Sequence, residues 1–167
     1  HQVLREYIVD PLETMRVSEI MARLVVTLPA SLPFAEAVAH FTKPTEADHH
    51  KSYPVVNESG ALVAIVTRAD ALRWTMEGWA TQKTLGEQLA GQKLVIGYED
   101  ELVGRLADRM AAQDVARVPI LRSSDGALVG LVARRDLLLV RAKVRRQERE
   151  RETLIRLRGT ASAKASH

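Results

Sequence analysis

The chain has 167 residues, 46% apolar and only 4% aromatic, with no cysteine. This describes a globular core packed from aliphatic side chains and excludes disulfides and thiolate metal sites. The formal charge of +3 is unevenly placed, since residues 141–167 hold nine Lys or Arg against three Glu, leaving −3 on residues 1–140.

No apolar run reaches the roughly 18 residues of a membrane helix. The first residues, HQVLREYIVD, lack a basic-then-apolar leader pattern. The absence of cysteine fits a reducing compartment, and a first residue of His is expected of an excised fragment.

In chain order, VSEIM at 17–21 predicts a helical turn before an apolar strand, LVVTL at 24–28. A helix follows, with Ser31 as its cap, Pro33 in its first turn and Phe34, Ala37, Val38 and Phe41 in one stripe. The loop TKPTEADHHKS is polar and reads as exposed. Tyr53 to Val56, the turn NESG and Leu62 to Val66 form a predicted hairpin, with a helix beginning near Thr67. Residues 73–84, RWTMEGWATQKT, connect onward with Gly78 interrupting the helix. Trp74 and Trp79 read as packing residues rather than a ligand cage.

The pattern then repeats. LGEQL at 85–89 predicts the turn and KLVI at 93–96 the strand. A helix capped by Asp100 has Glu101 near its positive end and a stripe of Val103, Leu106, Ala107 and Met110. Val118 to Leu121, the turn RSSDG and Leu128 to Val132 make a second hairpin, with a helix beginning near Ala133. Phe41 to Pro54 spans 13 residues and Met110 to Pro119 nine, so the first copy carries about four extra in its loop. One unit of roughly 55 residues buries too little surface to be stable alone, so the two are expected to bury faces against each other.

Thr67 and Asp70 fit a capping box, which explains both without a ligand. In the second copy Ala133 replaces the threonine while Asp136 remains, so reciprocal capping accounts for Asp136 less well. A carboxylate at a helix start still needs no ligand. A hydroxyl at a strand end, a carboxylate three residues on and free helical N–H groups converge on one mouth. His49 and His50, beside Asp48 and Glu46, lack helical ligand spacing, so no metal is expected. No Ser-His-Asp order, phosphate-cradling glycine loop or paired acid set is present, so the chain reads as a regulator and not an enzyme. The basic tail suits anionic lipid or nucleic acid. It equally suits a solvated helix with Glu148 spaced to Arg151 and Glu152 to Arg156.

The order VSEIM, helix, YPVVNESGALVAIVTRADAL, returning as VPILRSSDGALVGLVARRDLL, resembles tandem cystathionine-β-synthase (CBS) domains, or a Bateman module, over residues 17 to about 140. Departures from the family pattern are Ala64, Gln88 and Ala133. The resemblance implies an α+β, sandwich-like fold of two β-α-β-β-α repeats. Residues 1–16 are then an incoming linker, 17–74 the first domain, 75–84 a connector, 85–140 the second domain and 141–167 a basic tail, helical or disordered. It also implies an adenine nucleotide (ATP, ADP or AMP) as a regulatory ligand, with no obligatory cofactor. An Asp would accept from the ribose hydroxyls, and a Thr or Ser hydroxyl would meet phosphate.

Carried over by position, one cleft uses Thr67 and Asp70 with Val95, Ile96, Ala116 and Val118. The other uses Asp136 and Arg135 with Thr27, His50, Lys51 and Tyr53. Arg68 and Arg134 add positive charge near each. The Asp136 cleft is preferred for a polyphosphate, although the hydroxyl missing at Ala133 argues the other way. The flanks REYIVDPLETMRVSEIM and LLLVRAKVRRQERERE resemble the cytoplasmic region of bacterial ClC-type chloride channels and transporters. That implies a homodimer on the cytoplasmic side of the bacterial inner membrane, joined to the transport domain of the same polypeptide, modulating ion transport, with no nucleic-acid partner. The alternatives are a ligand-free dimerisation module and a CBS sensor attached to another soluble host.

Overall fold

The computed structural model describes residues 10–42, 52–77 and 82–165. Two 3-10 turns, Pro11–Glu13 and Val17–Glu19, precede strand β1 (Leu28–Pro29), helix α1 (Phe34–Thr42), β2 (Ser52–Val56), β3 (Leu62–Thr67) and α2 (Arg68–Met76). The second copy follows as α3 (Leu85–Gln88), β4 (Gly97–Tyr98), α4 (Val103–Gln113), β5 (Arg117–Leu121), β6 (Leu128–Ala133) and α5 (Arg134–Ala165). The strands form two separate sheets, ordered β1-β2-β3 and β4-β5-β6. In each, the first pair is parallel and needs a crossover helix, and the second is an antiparallel hairpin. Gly60 and Gly126 turn the two hairpins at φ of +81° and +71°, where a side chain is strained.

The predicted strands at 24–28 and 93–96 are mostly absent. Only Leu28–Pro29 and Gly97–Tyr98 join the ladders, and Leu24 is left 95% exposed. Pro54 and Pro119 supply the reason. Each opposes a residue, Ile65 or Leu131, whose backbone bonds outward, so each proline nitrogen faces the parallel neighbour with no N–H to extend that ladder.

Helix starts also differ from expectation. Ser31 and Asp100 do not cap, because the helices begin at Phe34 and Val103, whose N–H groups donate to the Lys83 and Met15 carbonyls at 3.0 and 2.9 Å. Asp100 instead accepts from the Ser123 hydroxyl at 2.5 Å. Glu101 accepts from the Tyr98 N–H and takes both ends of the Arg109 guanidinium at 2.9 and 3.1 Å.

Those carbonyl partners reveal an exchange between the copies. Val17 and Ser18 donate to the Glu101 and Glu99 carbonyls at 3.0 and 2.9 Å, while Leu85 and Gly86 donate to Leu32 and Ala30 at 2.8 and 2.9 Å. The leading turn of each copy therefore packs on the other copy's sheet. Leu85 and Leu89 complete a core with Phe34, Tyr53, Val66 and Trp74; Leu12, Val17 and Met21 complete the other with Leu106, Met110, Ile120 and Val132. Each half keeps its own core among the described residues, and traded turns tie the halves together.

Both predicted helical stripes face these cores. Trp74 is buried with its ring centroid 4.8 Å from that of Phe34, whereas Gly78 and Trp79 lie outside the described residues. Helix α5 runs for 32 residues, so the tail is helical as far as Ala165. No helix among the described residues is long and apolar enough to cross a membrane.

Candidate functional site

Asp70 and Asp136 occupy matching places in the first turns of α2 and α5, but their surroundings differ. Thr67, extended at φ −109° and ψ 161°, accepts from the Asp70 N–H through Oγ1 at 3.1 Å and donates its own N–H to Asp70 Oδ2 at 2.9 Å. Arg73 donates to the remaining oxygen, Oδ1, at 3.1 Å. Both carboxylate oxygens are thus engaged within the helix's own first two turns. Asp136 Oδ2 accepts the Ala133 N–H at 2.8 Å, and its Oδ1 has no partner among the described residues.

Each carboxylate lines a cavity completed by the turn traded from elsewhere in the chain. Around Asp70, an open hollow of about 470 Å³ is lined by Arg73, Trp74 and Glu77 of α2 and the stretch from Gln88 to Gln92, giving a polar wall. Around Asp136, about 410 Å³ lies between Leu139, Val140 and Lys143 of α5 and the incoming residues Met15, Glu19 and Ile20. The second crevice has aliphatic walls with charges at its edge, the arrangement a ring with a polar appendage needs.

The other expected residues are distributed as follows. Tyr53 and Val118 have fully buried side chains, the tyrosine ring standing edge-on to Phe41 at 5.2 Å. β2 and β5 are the middle strands of their sheets and are covered on both faces. Register places Val118 opposite Val132 and Tyr53 opposite Val66, so each neighbours the helix start of its own copy. Ala116 is exposed and accepts the Arg134 N–H at 2.8 Å, beside the Asp136 helix rather than Thr67. Among the described residues no hydrogen bond joins Thr67 or Asp70 to Val95, Ile96 or Ala116.

Val95 packs on the second core, Ile96 gives its carbonyl to Arg109 at 3.0 Å, and Thr27 is half-buried before β1. Arg68 and Arg135 are exposed; Arg134 reaches the Val115 carbonyl at 3.4 Å and Asp114 at 3.5 Å. His50 and Lys51 lie outside the described residues, as do His49, Asp48 and Glu46. Sequence reasoning passed over Met15, Glu19, Ile20 and Lys143 as crevice walls. It also passed over Ser52, whose buried hydroxyl beside Thr67 has no partner among the described residues. A serine opening an otherwise apolar strand was the available signal.

The sequence profile of the CBS domain matches residues 17–77 and 90–143, in step with the two structural copies. The chain belongs to the CBS domain family. Its two repeats form a tandem CBS pair, and solved CBS pairs share the fold. The CBS pair of protein MJ0100, solved with 5′-methylthioadenosine and S-adenosyl-L-methionine, is 24% identical, with a TM-score of 0.63 over 75% of this chain and 94% of that one. The CBS domain of a bacterial CNNM/CorC-family Mg²⁺ transporter in complex with ATP is 19% identical, with a TM-score of 0.65 over 78% and 89%. That of a CBS-domain-containing membrane protein from Sphaerobacter thermophilus is 25% identical, with a TM-score of 0.62 over 82% and 94%. No curated protein sequence matches the chain.

Proposed function

We propose that this CBS pair is a regulatory module that takes an adenosine-containing ligand in the crevice at Asp136. The observation that carries the reading is the difference between the two carboxylates. Asp136 keeps an oxygen with no partner among the described residues for a ribose hydroxyl, whereas both Asp70 oxygens already accept a hydrogen bond. Aliphatic walls from Ile20, Leu139 and Val140 suit a purine face, and Lys143 at the edge suits phosphate. Two of the similar structures carry ATP or methylthioadenosine with S-adenosylmethionine, and adenosine is the chemistry those ligands share. The role is regulation, not catalysis, with ATP, ADP and AMP as the first ligands to test.

The crevice lies between the incoming segment and α5. Occupancy therefore biases how whatever precedes the module sits against the second repeat, which is what a regulatory coupling requires. The resemblance of the flanking sequences supports a host among bacterial ClC-type chloride channels or transporters, with the module on the cytoplasmic side of the inner membrane. Homodimerisation belongs to the same reading. Leu72 and Met76 on α2, and Leu138 and Leu139 on α5, are large, exposed aliphatic side chains on the two matching helices.

Calorimetry with ATP, ADP, AMP and S-adenosylmethionine tests the ligand. Asp136→Ala is expected to weaken binding at least ~10-fold, the loss of a charge-assisted hydrogen bond. Asp70→Ala is expected to change it less than about 3-fold, its carboxylate being engaged already. Equal losses in both variants would remove the site assignment. Flat titrations beside a dimer in sedimentation would replace the ligand reading with a dimerisation module.

A further inference from the structure

Past Val144 every residue of helix α5 from Arg145 to Thr160 is exposed, and beyond Gln147 none lines the crevice at Asp136. This free stretch is roughly 24 Å long at 1.5 Å per residue. It carries Arg145, Arg146, Arg149, Arg151, Arg156 and Arg158, interleaved with only three glutamates. Among those charges stand Leu154, Ile155 and Leu157, exposed by 57%, 70% and 62%. Arg151 lies one turn before the Leu154–Ile155 pair and Arg158 one turn after it, so a guanidinium flanks the aliphatic pair on each side.

We propose that residues 145–160 form a docking helix for an anionic lipid surface. The aliphatic side chains enter the headgroup boundary while the arginine stems lie along it and hold their guanidinium groups at the phosphates. Charge draws the helix to the surface, since each basic residue near an anionic leaflet adds attraction. Two other partners fit less well. Nucleic acid would satisfy the arginines but leaves three aliphatic side chains without a role, and residues 141–167 contain no Phe, Tyr or Trp on which a base could stack. A second copy would need an apolar seam sustained over several heptads, yet residues 145–153 contain no apolar side chain, and pairing would set two segments of net charge +3 together. The inference is independent of the nucleotide reading.

Flotation of the 167-residue chain with phosphatidylcholine vesicles, and with vesicles containing about 30% phosphatidylglycerol, tests it. Binding is expected only to the anionic vesicles, falling at least ~10-fold when salt rises from about 50 to about 500 mM. Both Arg151→Glu with Arg158→Glu and Leu154→Ser with Ile155→Ser and Leu157→Ser should reduce it at least ~10-fold, with an unchanged thermal unfolding midpoint because these side chains are exposed. Absence of flotation overturns the proposal, as does equal flotation of the aliphatic variant. Two further results would do the same: salt-sensitive binding to a DNA duplex with no binding to vesicles, or a sedimenting dimer that only the aliphatic variant loses.

Discussion

At the free edge of the first sheet, Ile65 donates its N–H to Gln92 Oε1 at 2.8 Å and accepts from Gln92 Nε2 at 3.0 Å. At the matching edge of the second sheet, Leu131 makes the same two bonds to the backbone of Ala22, at 2.9 and 3.0 Å. One edge is closed by a side-chain amide and the other by a single antiparallel bridge. The residues behind the edges differ in step. Gly130 lets Met21 and Ala22 come close, whereas the first copy has Ala64 there and a side chain spans to the edge instead. An unpaired strand edge invites association, so both solutions serve the same need through different atoms.

Gly130→Ala should break this arrangement most severely. An added Cβ stands 2.6 Å from Met21 Sδ and 3.0 Å from the Ala22 carbonyl oxygen, and Met21 is itself buried. Overpacking of this kind costs ~1–3 kcal/mol and should appear as a lowered thermal unfolding midpoint. An unchanged midpoint would mean the bridge at Ala22 yields freely. Gln92→Ala is the complementary change. It removes both partners of Ile65 at a part-buried site and should destabilise by roughly 1–2 kcal/mol in denaturant unfolding. The Ala22 bridge is made by backbone and offers no such single-residue deletion, so a Gln92→Ala variant as stable as the parent would show that water replaces the amide.

Periodic and local features were legible from the residues alone. The stripes of Phe34 and Leu106, the hairpins turned at Gly60 and Gly126, and the Thr67–Asp70 box all depend on spacings of a few residues. The exchange of leading turns was not legible, because it is written in backbone bonds such as Val103 N–H to Met15 and Phe34 N–H to Lys83, which leave no side-chain signature. The same exchange hid half of the candidate site. Asp136 could be named from its motif, but Met15, Glu19 and Ile20 reach it only because their segment crosses to the second sheet. Tyr53 and Val118, close to the candidate site in sequence, carry buried side chains because their strands are covered on both sides.

The helix starts give a sharper comparison, because one substitution converts each copy toward the other. Thr67→Ala removes the hydroxyl that accepts the Asp70 N–H and should cost ~1 kcal/mol. Ala133→Thr should complete a capping box around Asp136 and return up to about that amount, since the Ala133 N–H to Asp136 half already exists. Chemical denaturation of the two single variants and their combination checks the pair. The sites lie on different helices, so the effects should add, and a strong departure from additivity would mean that the two helix starts are coupled.

The hairpin turns provide the smallest and most local contrast. Asn57 holds the first through its neutral amide oxygen, accepting from the Ser59 N–H at 3.1 Å and the Ala61 N–H at 3.0 Å. Asp125 holds the second with a carboxylate that accepts the Ala127 N–H at 3.0 Å and pairs with Arg122 at 3.0 Å. The Ala127 N–H, and then Arg122, hold the Asp125 carboxyl below its ordinary value of 3.8. A carboxyl lowered on folding contributes stability above its unfolded value and loses it as pH falls through the folded one. Only the second turn should therefore loosen in acid. In an amide chemical-shift titration, Ala127 should move with a midpoint below 3.8 and Ala61 should show no such transition, because Asn57 has no proton to gain. Asp125→Asn should abolish the Ala127 transition, and Asn57→Asp should create one at Ala61. A midpoint for Ala127 at or above 3.8 would mean that the turn does not favour the charged form, and the distinction between the two hairpins would disappear.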